Sequence, residues 1–235
     1  LMDRAITLAK ADLMSEMVYE FTELQGLMGY YYAKALGEDE LVYNAIKEQY
    51  MPVGEGAELP SNLFSSIVAM SIKLDTLIGL FSVGKIPTGS KDPFALRRAV
   101  NGIVRIVTNN NIPFDIDQMI DLLSQNYKEY DKAKLKEFII ERIYKSFDAN
   151  ASVISAVLES GDYDINNIYK KVKALNEIVS SENFKEQFST FKRVANISKD
   201  IDLSQNLSID TTLFENDAEV SLYNAYEQII NTTYD

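Results

Sequence analysis

A chain of 235 residues, 46% hydrophobic and 25% charged, is long enough for one large helical domain or two small ones and has an ordinary soluble composition. Its net charge of -12 argues against broad nonspecific binding to nucleic acid but leaves room for a local basic patch. With neither Cys nor His, it excludes disulfides, thiol catalysis, Cys or His metal centres and His general-base triads, and it fits a reducing, cytoplasmic location.

Leu1 is not an initiator residue, and helical periodicity starts at once without a signal-like apolar region, so the chain reads as an excised piece of a longer one. Over residues 3–19, Ala5, Ile6, Leu8, Ala9, Leu13, Met17 and Val18 recur at helical spacing and predict one helix. A second helical block covers Phe21 to Ala35, where Gly26 and Gly29 permit close backbone approach or a bend. Glu38, Asp39 and Glu40 suit the first turn of a helix running to Tyr50, ended by a Gly/Pro/Glu loop over 51–60.

Residues 62–80 are strongly apolar and predict the central buried helix, with Lys73 and Asp75 as its charged exceptions. No apolar run approaches the roughly 20 residues needed to cross a bilayer. Next comes Pro87-Thr88-Gly89-Ser90-Lys91-Asp92-Pro93-Phe94-Ala95-Leu96-Arg97-Arg98-Ala99, a tight turn feeding a helix opened by Pro93, with Ser90 or Asp92 as its cap. Cations gain nothing from the dipole at a helix start, so Arg97 and Arg98 need a carboxylate partner in the fold or a phosphate outside it. That helix stops at Asn109-Asn110-Asn111, and a short one follows Pro113-Phe114-Asp115.

Periodicity lapses over 124–131 and resumes over 132–147, 148–159, 165–179, 184–197 and 215–230. The fold class is all-α, with no convincing strand and no repeat. The lapse suggests two helical units, 1–125 and 126–235, against a continuous solenoid-like bundle. After Lys199 no Lys or Arg appears, whereas Asp202, Asp210, Glu215 and Asp235 do, so this tail repels nucleic acid unless it is turned away.

No Walker loop, dinucleotide fingerprint, serine elbow or zinc-protease pattern occurs, so no catalytic residue and no metal site is assigned. Asp12 and Asp75, with Lys10 and Lys73, form a candidate polar pocket if their helices meet. Such a carboxylate pair could serve acid/base chemistry or Mg²⁺, but without His or a third acid it is more often structural. The candidate RNA contacts are the cations Lys91, Arg97 and Arg98, then Lys170, Lys171 and Lys173, then Lys192 and Arg193, among 14 Tyr that offer stacking surfaces or plain helix packing.

Several motifs stand in a telling order: Lys10-Ala11-Asp12-Leu13, Met17-Val18-Tyr19-Glu20-Phe21-Thr22-Glu23-Leu24-Gln25-Gly26-Leu27-Met28-Gly29, Tyr31-Tyr32-Ala33, Leu59-Pro60-Ser61, Lys73-Leu74-Asp75-Thr76-Leu77-Ile78-Gly79, the basic turn above, Phe191-Lys192-Arg193-Val194-Ala195-Asn196-Ile197 and Leu213-Phe214-Glu215. On these the chain resembles the beta subunit of the bacterial two-subunit glycyl-tRNA synthetase, with Thr22 where that family usually has Pro.

The resemblance implies an internal to C-terminal piece of that subunit. Residues 1–125 would be a degenerate HD-type helical domain without the metal His residues of its phosphohydrolase relatives, and Asp12 or Asp75 a relic of that centre. Residues 126–235 would be a helical linker and the truncated start of the anticodon-binding domain. The resemblance also implies that the fragment holds no cofactor, because ATP and Mg²⁺ belong to the partner alpha subunit. The piece alone would be inactive, supporting glycine attachment to tRNA(Gly) by holding the tRNA. Its partners would be the alpha subunit, tRNA(Gly) and the rest of the beta subunit, with no membrane. The alternatives are a structural or subunit-contact module without tRNA contact, and a residual phosphohydrolase. Arg97 and Arg98 are expected either as an RNA-facing ridge or as an internal clamp to Asp75 and Glu20.

Overall fold

In the computed structural model, residues 1–199 and 209–232 are described, so Asp202 and Asp235 of the acidic tail lie outside the described residues. The chain divides into two compact units, Leu1–Ser181 and Glu182–Asp235. Among the described residues the regular structure is helical and no strand forms.

The first unit opens differently from expectation. Instead of one helix, the chain forms α1 (Met2–Leu8), a 3-10 turn (Ala11–Met14) and α2 (Glu16–Glu20). The cause is Asp12, whose 2% exposed carboxylate turns inward to accept backbone N–H groups from a later segment. Ser15 then caps α2 by accepting from the Val18 N–H at 3.3 Å.

A 3-10 turn (Thr22–Leu24) and Gly26, at φ 79, lead into α3 (Leu27–Ala35). Asp39 caps α4 (Glu40–Glu48), taking the Leu41 N–H at 2.8 Å. Gln49, fully buried, ends α4 by donating back to the Ile46 carbonyl at 2.9 Å. Ala5, Ala9, Ala33, Val42, Ala45 and Ile46 of these elements form a small core with Val68 and Ile72 of α5 (Leu63–Ser82).

The other flank of α5 belongs to a larger core. Leu74, Leu77, Ile78 and Phe81 pack with Leu96, Val100, Ile103, Val104 and Val107 of α6 (Leu96–Asn110), so α5 is covered on two sides. Contrary to expectation, α5 is long and apolar enough by length and composition to cross a membrane. Its Ser and Thr side chains do not lower hydropathy enough to interrupt the run, and half of its apolar window is buried within the fold.

α6 begins at Leu96, later than Pro93, because Ala95 adopts φ 55 and Asp92 reaches over it. The two Asp92 carboxylate oxygens accept from the Leu96 and Arg97 N–H groups at 2.9 and 3.0 Å. Asn111, at φ 52, stops the helix.

Asp residues cap α7 (Ile116–Ser124), α8 (Lys132–Ser146) and α10 (Ile165–Val179), while Asn150 caps α9 (Ala151–Leu158). The starts of α7 and α10 are joined: the Ile116 N–H donates to the Tyr163 carbonyl at 3.1 Å and the Ile165 N–H to the Phe114 carbonyl at 3.0 Å. Leu135, Ile139 and Ile143 of α8 and Ile168 and Val172 of α10 complete the larger core. The division expected at 125/126 therefore falls inside the first compact unit, in a connection whose Tyr127 and Tyr130 pack on the same core.

The second unit consists, as described, of α11 (Phe184–Ile197), a 3-10 turn (Thr211–Leu213) and α12 (Asp217–Thr232). Val194, Ile209, Phe214, Leu222 and Tyr226 face one another across an apolar groove.

Candidate nucleic-acid interface

The four residues of the expected polar pocket do not meet in one. Asp12 Oδ2 accepts the Gly26 and Gly29 N–H groups at 2.6 and 3.1 Å, so this carboxylate organises the start of α3. Lys10 is exposed beside it. Lys73 lies beneath the 51–60 loop, donating to the Tyr50 carbonyl at 2.9 Å, and burial pulls its ammonium down to about 8. Asp75, two residues on, points off a different face of α5. It is exposed and takes the Tyr127 hydroxyl, not Lys10 or Arg97. Burial and this bond push the Tyr127 phenol up.

A divalent metal centre of phosphohydrolase type does not fit this donor set. One acid is spent on backbone N–H groups, the other is on a separate exposed face, and no group of three acids converges among the described residues.

The candidate cations sort by partner. Arg97 Nη2 donates to the Gly89 carbonyl at 2.7 Å, which fixes the basic turn on α6. Lys171 pairs with Asp162 at 2.6 Å. Lys91, Arg98, Lys170 and Lys173 are exposed in the first unit, and Lys192 and Arg193 in the second, without an ion-pair partner among the described residues. The internal clamp expected for the arginine pair does not form: Arg97 donates to a carbonyl rather than to Asp75 or Glu20, and Arg98 has no ion-pair partner among the described residues.

Around Arg98 the structure assembles what adjacency in sequence does not reveal. Arg98, Asn101, Gly102 and Arg105 are spaced i, i+3, i+4, i+7, so they share one face of α6. They line a cleft of about 280 Å³ with Gly54 and Glu55 of the 51–60 loop and Lys145 and Ser146 of α8. Arg105 holds the loop, its Nη1 on the Gly54 carbonyl at 3.0 Å and its Nη2 on the Ala57 carbonyl at 2.7 Å. Gly102 lets Lys73 pass close to α6, because a Cβ there would lie 3.0 Å from Lys73 Cε and 3.4 Å from Pro52 Cγ. Helical spacing from Arg98 was the available signal for Arg105; nothing in the sequence brings Lys145 to the same place.

The sequence model of the family described as "Glycyl-tRNA synthetase beta subunit" matches residues 1–159. The chain belongs to the glycyl-tRNA synthetase beta subunit family. It is 44% identical over 242 residues to the glycine-tRNA ligase beta subunit of Helicobacter pylori (strain G27), covering 100% of this chain and 34% of that protein. Against the Bacillus subtilis (strain 168) beta subunit it is 40% identical over 227 residues, covering 95% and 32%. Against that of Azotobacter vinelandii it is 38% identical over 236 residues, covering 96% and 34%. The chain thus spans about a third of the length of the curated relatives it matches. The segment matching the beta subunit family contains the whole cleft, Arg98, Arg105 and Lys145 included, while Lys170, Lys171, Lys173, Lys192 and Arg193 follow it.

Proposed function

We propose that this chain is a non-catalytic part of a glycine-tRNA ligase that contacts and positions tRNA(Gly) for glycine attachment. Glycine activation with ATP and Mg²⁺ falls to the partner alpha subunit, and the rest of the beta subunit completes the complex, in the cytoplasm and away from membranes. In this reading the helices of 1–125 descend from an HD-type domain that keeps the scaffold and not the metal chemistry, and 126–235 supply a linker and the start of an anticodon-binding domain.

The observation that carries the reading is the division of labour among charges: Asp12 is committed to the scaffold, while Arg98 and several lysines are left free on the surface of an acidic protein. Free cations of this kind suit phosphate-backbone contacts, which position an RNA without reading its sequence. The test is tRNA(Gly) binding by the assembled ligase across a salt series. Binding that weakens steeply with salt is expected, and salt-independent or absent binding would sink the reading.

A second reading, a subunit-contact module, is favoured by the apolar residues left uncovered near the N-terminus, where Met14 is 90%, Tyr19 81% and Leu36 81% exposed. Substituting all three by Ser and measuring association with the alpha subunit separates the two: lost assembly with intact tRNA affinity supports the contact module.

A further inference from the structure

We infer that the cleft between the 51–60 loop, α6 and α8 seats one RNA phosphodiester, gripped by Arg98 and Lys145 in the field of Arg105. The inference rests on the proposed tRNA contact and assigns it a place and a chemistry.

The roles of the three cations differ because their bonding differs. Arg105 spends its terminal nitrogens on the Gly54 and Ala57 carbonyls, so its charge is fixed at the cleft wall while its donors are used. Arg98, two turns earlier on the same face, has no ion-pair partner and no side-chain hydrogen bond among the described residues, which leaves its planar fork available to two oxyanions at once. Lys145 is held only loosely, 3.6 Å from Glu141 on an exposed stretch of α8, and can turn to an anion. Asn101 and Ser146 touch each other at 3.5 Å, a long contact that either side chain gives up readily for a better partner. Against these cations the lining carries one carboxylate, Glu55, so the cleft is a locally positive site on a chain of net charge -12.

The cleft's size and lining decide which phosphate it suits. At about 280 Å³ it falls just below the range of about 300–1,000 Å³ typical of small-molecule pockets. No aromatic or large apolar side chain lines it, so nothing would hold a nucleobase. A free nucleotide would therefore gain only its phosphate contacts there. A phosphodiester within a polymer needs no base contact, because neighbouring nucleotides bind elsewhere and hold it in place. The mouth is also made of two α-helices and a loop pinned by Arg105 and Lys73, so the anion meets a preformed site.

The experiment uses the ligase assembled from its alpha and full-length beta subunits, fluorescently labelled tRNA(Gly) and a potassium chloride series. The Arg98→Ala/Lys145→Ala double variant is compared with the parent, with Arg98→Lys, and with Lys170→Ala/Lys173→Ala, each checked by thermal melting. The expected result is an affinity about tenfold lower for the cleft double variant, with the slope of log affinity against log salt reduced by about 1 to 2 and melting unchanged. Arg98→Lys keeps the charge and loses the fork, so its slope stays near the parent's while its affinity is intermediate.

If the cleft variant binds tRNA like the parent while Lys170→Ala/Lys173→Ala does not, the cleft assignment is overturned and the tRNA reading stands. If the parent does not bind tRNA, both fall. Two further arms name other occupants. Loss of alpha-subunit association with tRNA affinity intact would assign the cleft to a protein carboxylate. Arg98-dependent binding of ATP or inorganic phosphate, with tRNA affinity intact, would assign it to a discrete phosphate ligand. Either result overturns the inference.

Discussion

Gly29 and Asp12 are joined across seventeen positions: the Gly29 N–H donates to Asp12 Oδ2 at 3.1 Å, and the Gly26 N–H shares the same oxygen at 2.6 Å. The carboxylate thus caps α3 from outside its own segment. Asp12→Ala leaves two buried donors unpaired, and at about 1–3 kcal/mol each the expected loss is ~2–6 kcal/mol. Asp12→Asn, which keeps an acceptor, should lose less. Urea melts of the two variants check this, and equal, negligible losses would refute a capping role. Gly29→Ala should also destabilise, by about 1–3 kcal/mol, because its Cβ would lie 2.7 Å from Ile46 Cγ2.

The same bond explains where sequence reasoning stops. The bounds of α10 and α11 follow from strong amphipathic periodicity and match the expected 165–179 and 184–197. Over 3–19 the apolar spacing was equally helical, but Asp12 is satisfied by N–H groups 14 and 17 residues away, and that demand breaks the helix. Periodicity records a local preference and carries no trace of such a partner. The start of α6 failed for a related reason, since the left-handed Ala95 lets Asp92 cap from four residues upstream. At the candidate site, Arg98 was visible as a cation without a local partner. Arg105 was legible by helical spacing but masked by its apolar neighbours, and Lys145 arrives only through the packing of α8 on α6.

Lys73 makes stability depend on pH with a defined sign. Burial lowers its folded pKa to about 8 from an ordinary value of 10.5. Below about pH 8 both states are protonated and the cost of the buried ammonium is fully present. Between the two values the unfolded chain binds a proton that the folded one lacks, so raising the pH favours folding. The total gain is at most about 3 kcal/mol. Denaturant melts from pH 7.5 to 9.5 should show a rise in the parent relative to Lys73→Met. Parallel pH profiles would show that Lys73 is not desolvated as described.

Arg105 pins the loop that forms one wall of the cleft. Arg105→Ala removes both carbonyl contacts, to Gly54 and Ala57, and should cost about 1–3 kcal/mol. Amide exchange should accelerate within 51–60 more than in α5 or α6. Uniform acceleration across the unit would mean that the arginine supports the core rather than the loop.

The Tyr127 hydroxyl ends on an exposed carboxylate, Asp75, although the Tyr127 ring is half-buried against the core, so the bond itself should matter little. Tyr127→Phe and Asp75→Asn are each expected to cost less than about 1 kcal/mol. A loss of several kcal/mol from Asp75→Asn would restore Asp75 to the role of a buried, structurally essential charge.

Arg97 and Arg98 are neighbours on α6 with opposite duties, and single substitutions should separate them. Arg97 ties the turn to the helix through the Gly89 carbonyl, whereas Arg98 lines the open cleft. Arg97→Ala should therefore cost about 1 kcal/mol, a fall in Tm of about 2–4 °C, and alter tRNA affinity only as far as the turn loosens. Arg98→Ala should leave stability within about 0.5 kcal/mol and weaken tRNA binding in a salt-dependent way. Paired melts and binding curves on the two variants decide the matter. If stability and binding fall together in both, the arginines act as one structural unit and the free fork of Arg98 carries no separate function.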